Sequence, residues 1–241
     1  MFVKELEEAL LDGRADLAVH SAKDLPGDLP MGLAILAVPV REDPRDVLIG
    51  PPDGVAGLAP GARIGTGSPR RAAQIRVVRP DVTCIEIRGN VGTRPDELSR
   101  GEDVDALMLA AAGLARLGLD PGGVTPLDPY VCVPAPGQGA LAIEGRADRP
   151  DLIASLSVLD DPATAMCLRA ERGLLAALGG GCREPVGALA GLVDGELRMV
   201  GFAASEDGHL HACRRHAGSA TDPERVGREL AAKLSEQIAS G

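Results

Sequence analysis

Aromatic side chains are almost missing from this 241-residue sequence: it has no tryptophan, one tyrosine (Tyr130) and two phenylalanines (Phe2 and Phe202). That scarcity argues against a single-stranded nucleic-acid binder, which needs aromatic platforms for base stacking. Positive charge is in deficit too. A formal net charge of -10 at pH 7 argues against general binding to a phosphate backbone. No apolar run reaches the roughly 18 residues of a membrane span. The chain opens straight into MFVKELEEALL, without signal-peptide architecture. The cysteines number five and include no CxxC pair, and no Cys/His spacing suits zinc. The expectation is a reduced, cytoplasmic protein with no metal site, no nucleic-acid partner and no membrane partner.

Apolar residues make up 45% of the chain and charged residues 25%, enough to bury a core in one large domain or two to three small ones. The charge is uneven. Between Arg63 and Arg100 stand eight arginines, no lysine and four acids. An acidic protein that concentrates arginine in one segment is expected to hold a small anion there, because the guanidinium fork binds carboxylate and phosphate bidentately.

Periodicity predicts an amphipathic helix over 3–12, with Val3, Leu6, Ala9 and Leu10 inside and Lys4, Glu5, Glu7 and Glu8 outside, closed by Gly13. Strands are expected at 16–20 and 33–38, and the Pro-, Gly- and Asp-rich stretch 41–60 reads as a crossing between domains. Next come a strand at 62–65, a helix at 69–79 with Ser68 as N-cap and Pro69 at its first position, and a strand at 82–87. A helix at 93–100, a strand at 104–110, a helix at 111–118 and a strand at 140–144 follow. This alternation implies a mostly parallel sheet. The last third differs: a helix over 162–178 capped by Asp161, strands near 185–193, 196–204 and 209–216 joined at Asp194-Gly195 and Asp207-Gly208, and a helix over 222–239.

Chemistry concentrates in four segments. His20-Ser21-Ala22-Lys23-Asp24 follows a strand and offers an anion contact and a carboxylate for proton work, although a polar surface turn would look the same. Gly65-Thr66-Gly67-Ser68-Pro69-Arg70-Arg71 places two arginines at a helix start, where the macrodipole disfavours them unless an anion is present. Ile87-Arg88-Gly89-Asn90-Val91-Gly92-Thr93-Arg94 repeats that logic. Gly179-Gly180-Gly181-Cys182-Arg183-Glu184-Pro185 holds an accessible thiol beside an arginine, the setting of a reactive thiolate. Cys84, Cys132, Cys167 and Cys213 sit in apolar or strand contexts and read as packing residues.

With these segments in hand, the chain resembles the porphobilinogen deaminase (hydroxymethylbilane synthase) family. The matching stretches, in order, are FVKELEEALLDGRADLAVHSAKDLP, REDPRDVLI, IGTGSPRRAAQ, IRGNVGTR, LAAAGLARLGL, PAPGQGALAIE and GGGCREPVGA. The resemblance implies an α/β fold with two periplasmic-binding-protein-like lobes and a small α+β C-terminal domain built on a three-stranded antiparallel sheet. The implied domains are 1–40 with 139–157, 43–133, and 160–241. It implies a monomer that joins porphobilinogen molecules head to tail into hydroxymethylbilane, releasing ammonia. It also implies a dipyrromethane cofactor held by a thioether to Cys182. Asp24 matches the catalytic aspartate. Ser21, Lys23, Thr66, Ser68, Arg70, Arg71, Arg88, Arg94 and Arg116 match positions that contact cofactor and substrate, and Gln138 lies in a loop near the cleft. The family's first lobe ordinarily begins upstream of the helix at 3–12, and Gly67-Ser68-Pro69 stands where Ser-Ser-Leu is usual. The first lobe is therefore expected to be truncated and the chain to be a poor enzyme. The alternatives are an inactive fragment and a two-lobed anion-binding protein without catalysis; Cys182 and Asp24 speak against the second.

Overall fold

The structure, a computed structural model, describes residues 2–87, 104–179, 185–205 and 209–240. Three sheets organise these residues. Helix α1 (Phe2–Leu11) forms where the apolar period predicts it. Leu10 is fully buried against Ala18 and Leu33, and Gly13, in the left-handed region at φ 68, ends the helix. Glu7 departs from expectation. At the i+4 position from Val3 it shares the inner face, and it is buried rather than solvated.

The first sheet joins β1 (Leu17–Ser21), β2 (Leu33–Ala37) and β8 (Leu141–Arg146), with β8 in the middle and antiparallel to both neighbours. The second contains β3 (Asp46–Ile49), β4 (Arg63–Gly65), β5 (Thr83–Ile85), β6 (Ala106–Ala110) and β7 (Val124–Pro126), in the order β5-β4-β6-β3-β7. Here β4 runs parallel to β5 and β6, whereas β3 runs antiparallel to β6 and β7. The sheet is thus mixed rather than mostly parallel, because β3 lies in the stretch read as a crossing. All four β3 residues are buried. A strand covered on both faces shows no alternation, and a four-residue run between Pro44 and Pro51 leaves little else to read.

Helix α2 (Pro69–Val78) starts as expected: Ser68 Oγ accepts the Arg71 N–H at 3.4 Å and Pro69 occupies the first position. Helix α3 (Ala111–Leu117) ends at Gly118 in the left-handed region. A short helix, α4 (Pro150–Leu156), was not expected from the sequence. The helix predicted over 93–100 lies outside the described residues.

In the C-terminal part, α5 (Pro162–Ala177) is capped by Asp161, whose Oδ1 accepts the Thr164 N–H at 2.8 Å. Strands β9 (Val186–Val193), β10 (Glu196–Ala204) and β11 (His211–Ser219) form the antiparallel sheet β9-β10-β11. Asp194 and Gly195 both have positive φ, as a two-residue hairpin turn requires. The Asp207-Gly208 turn lies outside the described residues. Helix α5 and α6 (Pro223–Ser240) cover one face, and Leu174, Leu197, Leu230 and Leu234 between them are fully buried. Each such leucine contributes about 1.5–3 kcal/mol. Gly227 permits this packing, since a Cβ there would collide with the Ala170 carbonyl oxygen.

Two strands of irregular chain cross between the first two sheets, near residues 41–45 and 134–140, and run side by side. The Glu42 N–H donates to the Gly139 carbonyl at 3.1 Å. Gly139, at φ 84, is required at this approach: a Cβ would stand 2.5 Å from the Glu42 oxygen. Both crossings are pinned to α5 by Glu171, which is fully buried. Its carboxylate accepts the Arg41 fork at 2.6 and 3.1 Å, the Gly137 N–H at 2.6 Å and the Ala190 N–H at 2.8 Å.

Candidate active site

Strand β1 turns its alternate residues inward, so Ala18 and His20 are buried while Val19 faces out. His20 therefore leaves the polar loop and pairs with Glu144 on β8 at 2.9 Å, both side chains being buried. Burial pushes the Glu144 carboxyl above the usual range, with His20 opposing. The chain then makes a 3-10 turn over Ala22–Asp24. Ala22 packs inside, its N–H bound to the Ala140 carbonyl at 3.0 Å. Ser21 and Lys23 are half-buried, and Asp24 is exposed.

The turn between β4 and α2 is shaped by its own hydroxyls. Thr66, buried, accepts the Ser68 N–H on Oγ1 at 3.2 Å, and Ser68 caps the helix. Arg70 and Arg71 are 4% and 6% exposed. The anion that lets them occupy the first helical turn is Asp46, at the start of β3 and fully buried. Arg70 Nη1 donates to its Oδ2 at 2.7 Å and to the Val133 carbonyl at 2.5 Å. Arg71 Nε donates to Oδ1 at 2.9 Å, and its Nη1 to the Met108 carbonyl at 3.0 Å. Burial would raise the Asp46 carboxyl, but the two guanidinium groups outweigh it and hold it far below the usual carboxylate range.

Two further groups complete the cluster. Gln138 Nε2 donates to Asp46 Oδ1 at 2.9 Å and to the Pro44 carbonyl at 2.8 Å. Its Oε1 is buried without a hydrogen-bond partner among the described residues. The Cys132 thiol donates to Asp46 Oδ2 at 3.2 Å, and burial pushes its pKa up to about 12. Cys132 thus belongs to a polar network, not only to the packing. Cys213 is also not a packing residue, since it lies exposed on β11, which has a neighbour on one side only.

The loop after β1 meets this cluster. Burial lowers the Lys23 pKa to about 8; Arg71 and Arg70 lower it further, and Asp24 and Asp46 oppose. Lys23 is thereby within electrostatic range of Arg70 and Arg71, more than forty positions away in the chain; Ala22 of the same turn lies against Gly137, next to the Gln138 that holds Asp46. Arg116, at the end of α3, donates from Nη2 to the Gly139 carbonyl at 2.7 Å. Arg88, Arg94 and Cys182 lie outside the described residues. Asp46, Arg41 and Glu171 are the residues that sequence reasoning missed. The signal for Asp46 was a lone acid opening the apolar run DVLI. Among the described residues, no group of three or more His, Cys, Asp and Glu side chains could hold a metal ion. No described helix is long and apolar enough to cross a membrane. A cavity of about 760 Å³ lies elsewhere, between Pro129-Tyr130 and the sheet residues Arg198 and Arg215.

The cluster gathers guanidinium groups around one buried carboxylate on a mixed α/β scaffold, a donor set whose chemistry suits carboxylate-bearing molecules. Comparison with known proteins identifies the family. Residues 1–154 match the family model "Porphobilinogen deaminase, dipyromethane cofactor binding domain", and residues 165–236 match "Porphobilinogen deaminase, C-terminal domain". The chain is 49% identical over 239 residues to the porphobilinogen deaminase of Roseiflexus sp. (strain RS-1), covering 98% of this chain and 78% of that protein. It is 48% identical over 238 residues to that of Thiobacillus denitrificans, with the same shares covered. Similar solved structures include the Bordetella pertussis BvgS periplasmic VFT2 domain, at 18% identity and TM-score 0.40, covering 64% of each chain. They also include the L-cystine solute receptor of Neisseria gonorrhoeae, at 16% identity and TM-score 0.37, covering 69% of this chain and 68% of that one.

The chain belongs to the porphobilinogen deaminase family. It is a transferase of tetrapyrrole biosynthesis that polymerises porphobilinogen into hydroxymethylbilane with release of ammonia, and it carries the family's dipyrromethane cofactor-binding domain. Neither alternative reading, the anion receptor or the inactive fragment, gains support from these matches.

Proposed function

We propose that Asp24 is the catalytic carboxylate and that Cys182 carries the dipyrromethane. What supports this reading is the approach of the turn to the arginine cluster: Ala22 lies against Gly137, the neighbouring Gln138 holds Asp46, and Lys23 is within electrostatic range of Arg70 and Arg71. The donor set suits the cofactor: a group that bears several carboxylates meets guanidinium and ammonium groups already gathered in one place. When bound, dipyrromethane supplies a permanent pyrrole primer for chain growth.

The remaining work falls to the chain's own side chains. Lys23, Arg70 and Arg71, with Arg88, Arg94 and Arg116, hold acetate and propionate groups. Ser21, Thr66 and Ser68 contribute hydroxyls beside them, and Gln138 closes the cluster from the crossing. Asp24, exposed at the turn, stabilises positive charge on the pyrrole nitrogen of bound porphobilinogen and moves protons there. We further propose three domains, 1–40 with 139–157, 43–133 and 160–241, in a cytoplasmic monomer without nucleic-acid or membrane partners.

Two measurements test the assignment. Asp24→Asn is expected to keep the melting transition and lose turnover by about 10²–10⁴-fold; activity within a few-fold of wild type would sink it. The intact mass of the holoprotein is expected to show a dipyrromethane adduct that Cys182→Ser lacks. An adduct mapping to Cys84, Cys132, Cys167 or Cys213 would refute the attachment site.

A further inference from the structure

Asp46 is the one carboxylate within hydrogen-bond reach of both arginines at the start of α2, among the described residues. Its Oδ2 takes Arg70 Nη1 at 2.7 Å; its Oδ1 takes Arg71 Nε at 2.9 Å and lies 2.8 Å from Arg71 Nη2. Gln138 and Cys132 occupy what remains of its acceptor capacity, at 2.9 and 3.2 Å. The carboxylate is fully buried, so its position is set by packing. A single negative charge therefore anchors two guanidinium groups and, among the described residues, leaves the Arg70-Arg71 pair one positive charge in excess of it. A cluster built only for stability would balance its charges, because an uncompensated buried charge is costly.

We infer that Asp46 is a positioning residue for the reaction: it presets the Arg70 and Arg71 forks and sets how much positive charge the site offers to a carboxylate. The inference rests on the proposed role of these arginines. Asp46 itself touches no reacting atom. It acts by fixing the direction of donors that meet the substrate's acetate and propionate, and by limiting the cluster's charge so that the loop bearing Lys23 can approach it. Among the described residues, the charged groups that act on Lys23 are Arg70, Arg71, Asp24 and Asp46.

The test uses the full chain with Asp46→Asn, read by two methods. Steady-state kinetics is expected to give a KM for porphobilinogen about tenfold higher, with kcat within about threefold of wild type. The second readout is the titration of Lys23, followed by NMR after reductive 13C-methylation; the chain has only three lysines, Lys4, Lys23 and Lys233. Removal of the Asp46 charge is expected to move Lys23 below its wild-type pKa of about 8. A folded Asp46→Asn with unchanged KM, or with unchanged Lys23 titration, overturns the inference. Should Asp46→Asn not fold, Arg70→Met is compared with Arg70→Met/Asp46→Asn, which conserves the cluster's net charge. A KM about tenfold higher in the double variant supports positioning of Arg71, and equal KM values overturn it. Failure of the underlying reading looks different. If Arg70→Met and Arg71→Met each leave KM unchanged, the arginines hold no substrate and the inference falls with that reading. If those variants raise KM while Asp46→Asn does not, the inference alone falls.

Discussion

Asp46 and Glu171 are both fully buried carboxylates that receive arginine forks, yet they are used in opposite ways. Glu171 accepts one guanidinium and two backbone N–H groups, so its charge is matched and every partner belongs to the protein. It is a joint: the Arg41 and Gly137 crossings meet α5 and β9 there. Asp46 accepts two guanidinium groups, so the arginine pair exceeds it by one positive charge. Charge balance separates the two roles. A matched ion pair in the interior closes a contact, whereas on the role proposed for Asp46 a mismatched one leaves charge for a ligand to complete.

The largest effect expected from this contrast is on stability. Glu171→Gln leaves Arg41 buried without its counter-ion, and denaturation should show a loss of about 3–5 kcal/mol. A loss below about 1 kcal/mol would mean that the joint is dispensable and the contrast is false.

A smaller effect separates the mismatched site by pH. Lys23 is charged below about 8 and neutral above it. The KM for porphobilinogen should therefore rise by up to about tenfold as pH increases through that value. Lys23→Met should abolish the dependence, and a wild-type KM that stays flat across this range would remove Lys23 from the carboxylate site. Stability runs the other way: the folded state binds fewer protons than the unfolded chain between about 8 and the usual lysine value of 10.5. This group's contribution to stability therefore increases with pH in that window.

The smallest effect sharpens the comparison within the arginine-rich segment itself. Arg79 donates to Asp81 at 2.7 Å and to the Val55 and Leu58 carbonyls at 2.8 and 3.1 Å, so it ties down the loop around 54–59. Arg79→Leu should lower Tm slightly and leave KM within about twofold. A KM rise matching that of Arg71→Met would show that the segment acts as one basic face.

Much of this protein was legible in its sequence because its signals are local. The caps at Ser68 and Asp161, the glycine ending α1 and the Asp194-Gly195 turn each depend on neighbouring residues, and each stands where expected. The ordered motifs did the same for the family. Strand β3 escaped because burial on both faces erases alternation, and Glu7 escaped because a charged residue type outweighed its helical position. The arginines were visible as a cluster, but their counter-ion was not. Asp46 stands 24 and 25 positions before them; the acid opening DVLI is visible, but no local pattern says which helix start it will meet. Local chemistry in the sequence determined the caps, the turns and which residue types could hold carboxylates. Only the tertiary structure decided which charges are already spent, because pairing across sheets depends on where the chain returns in space.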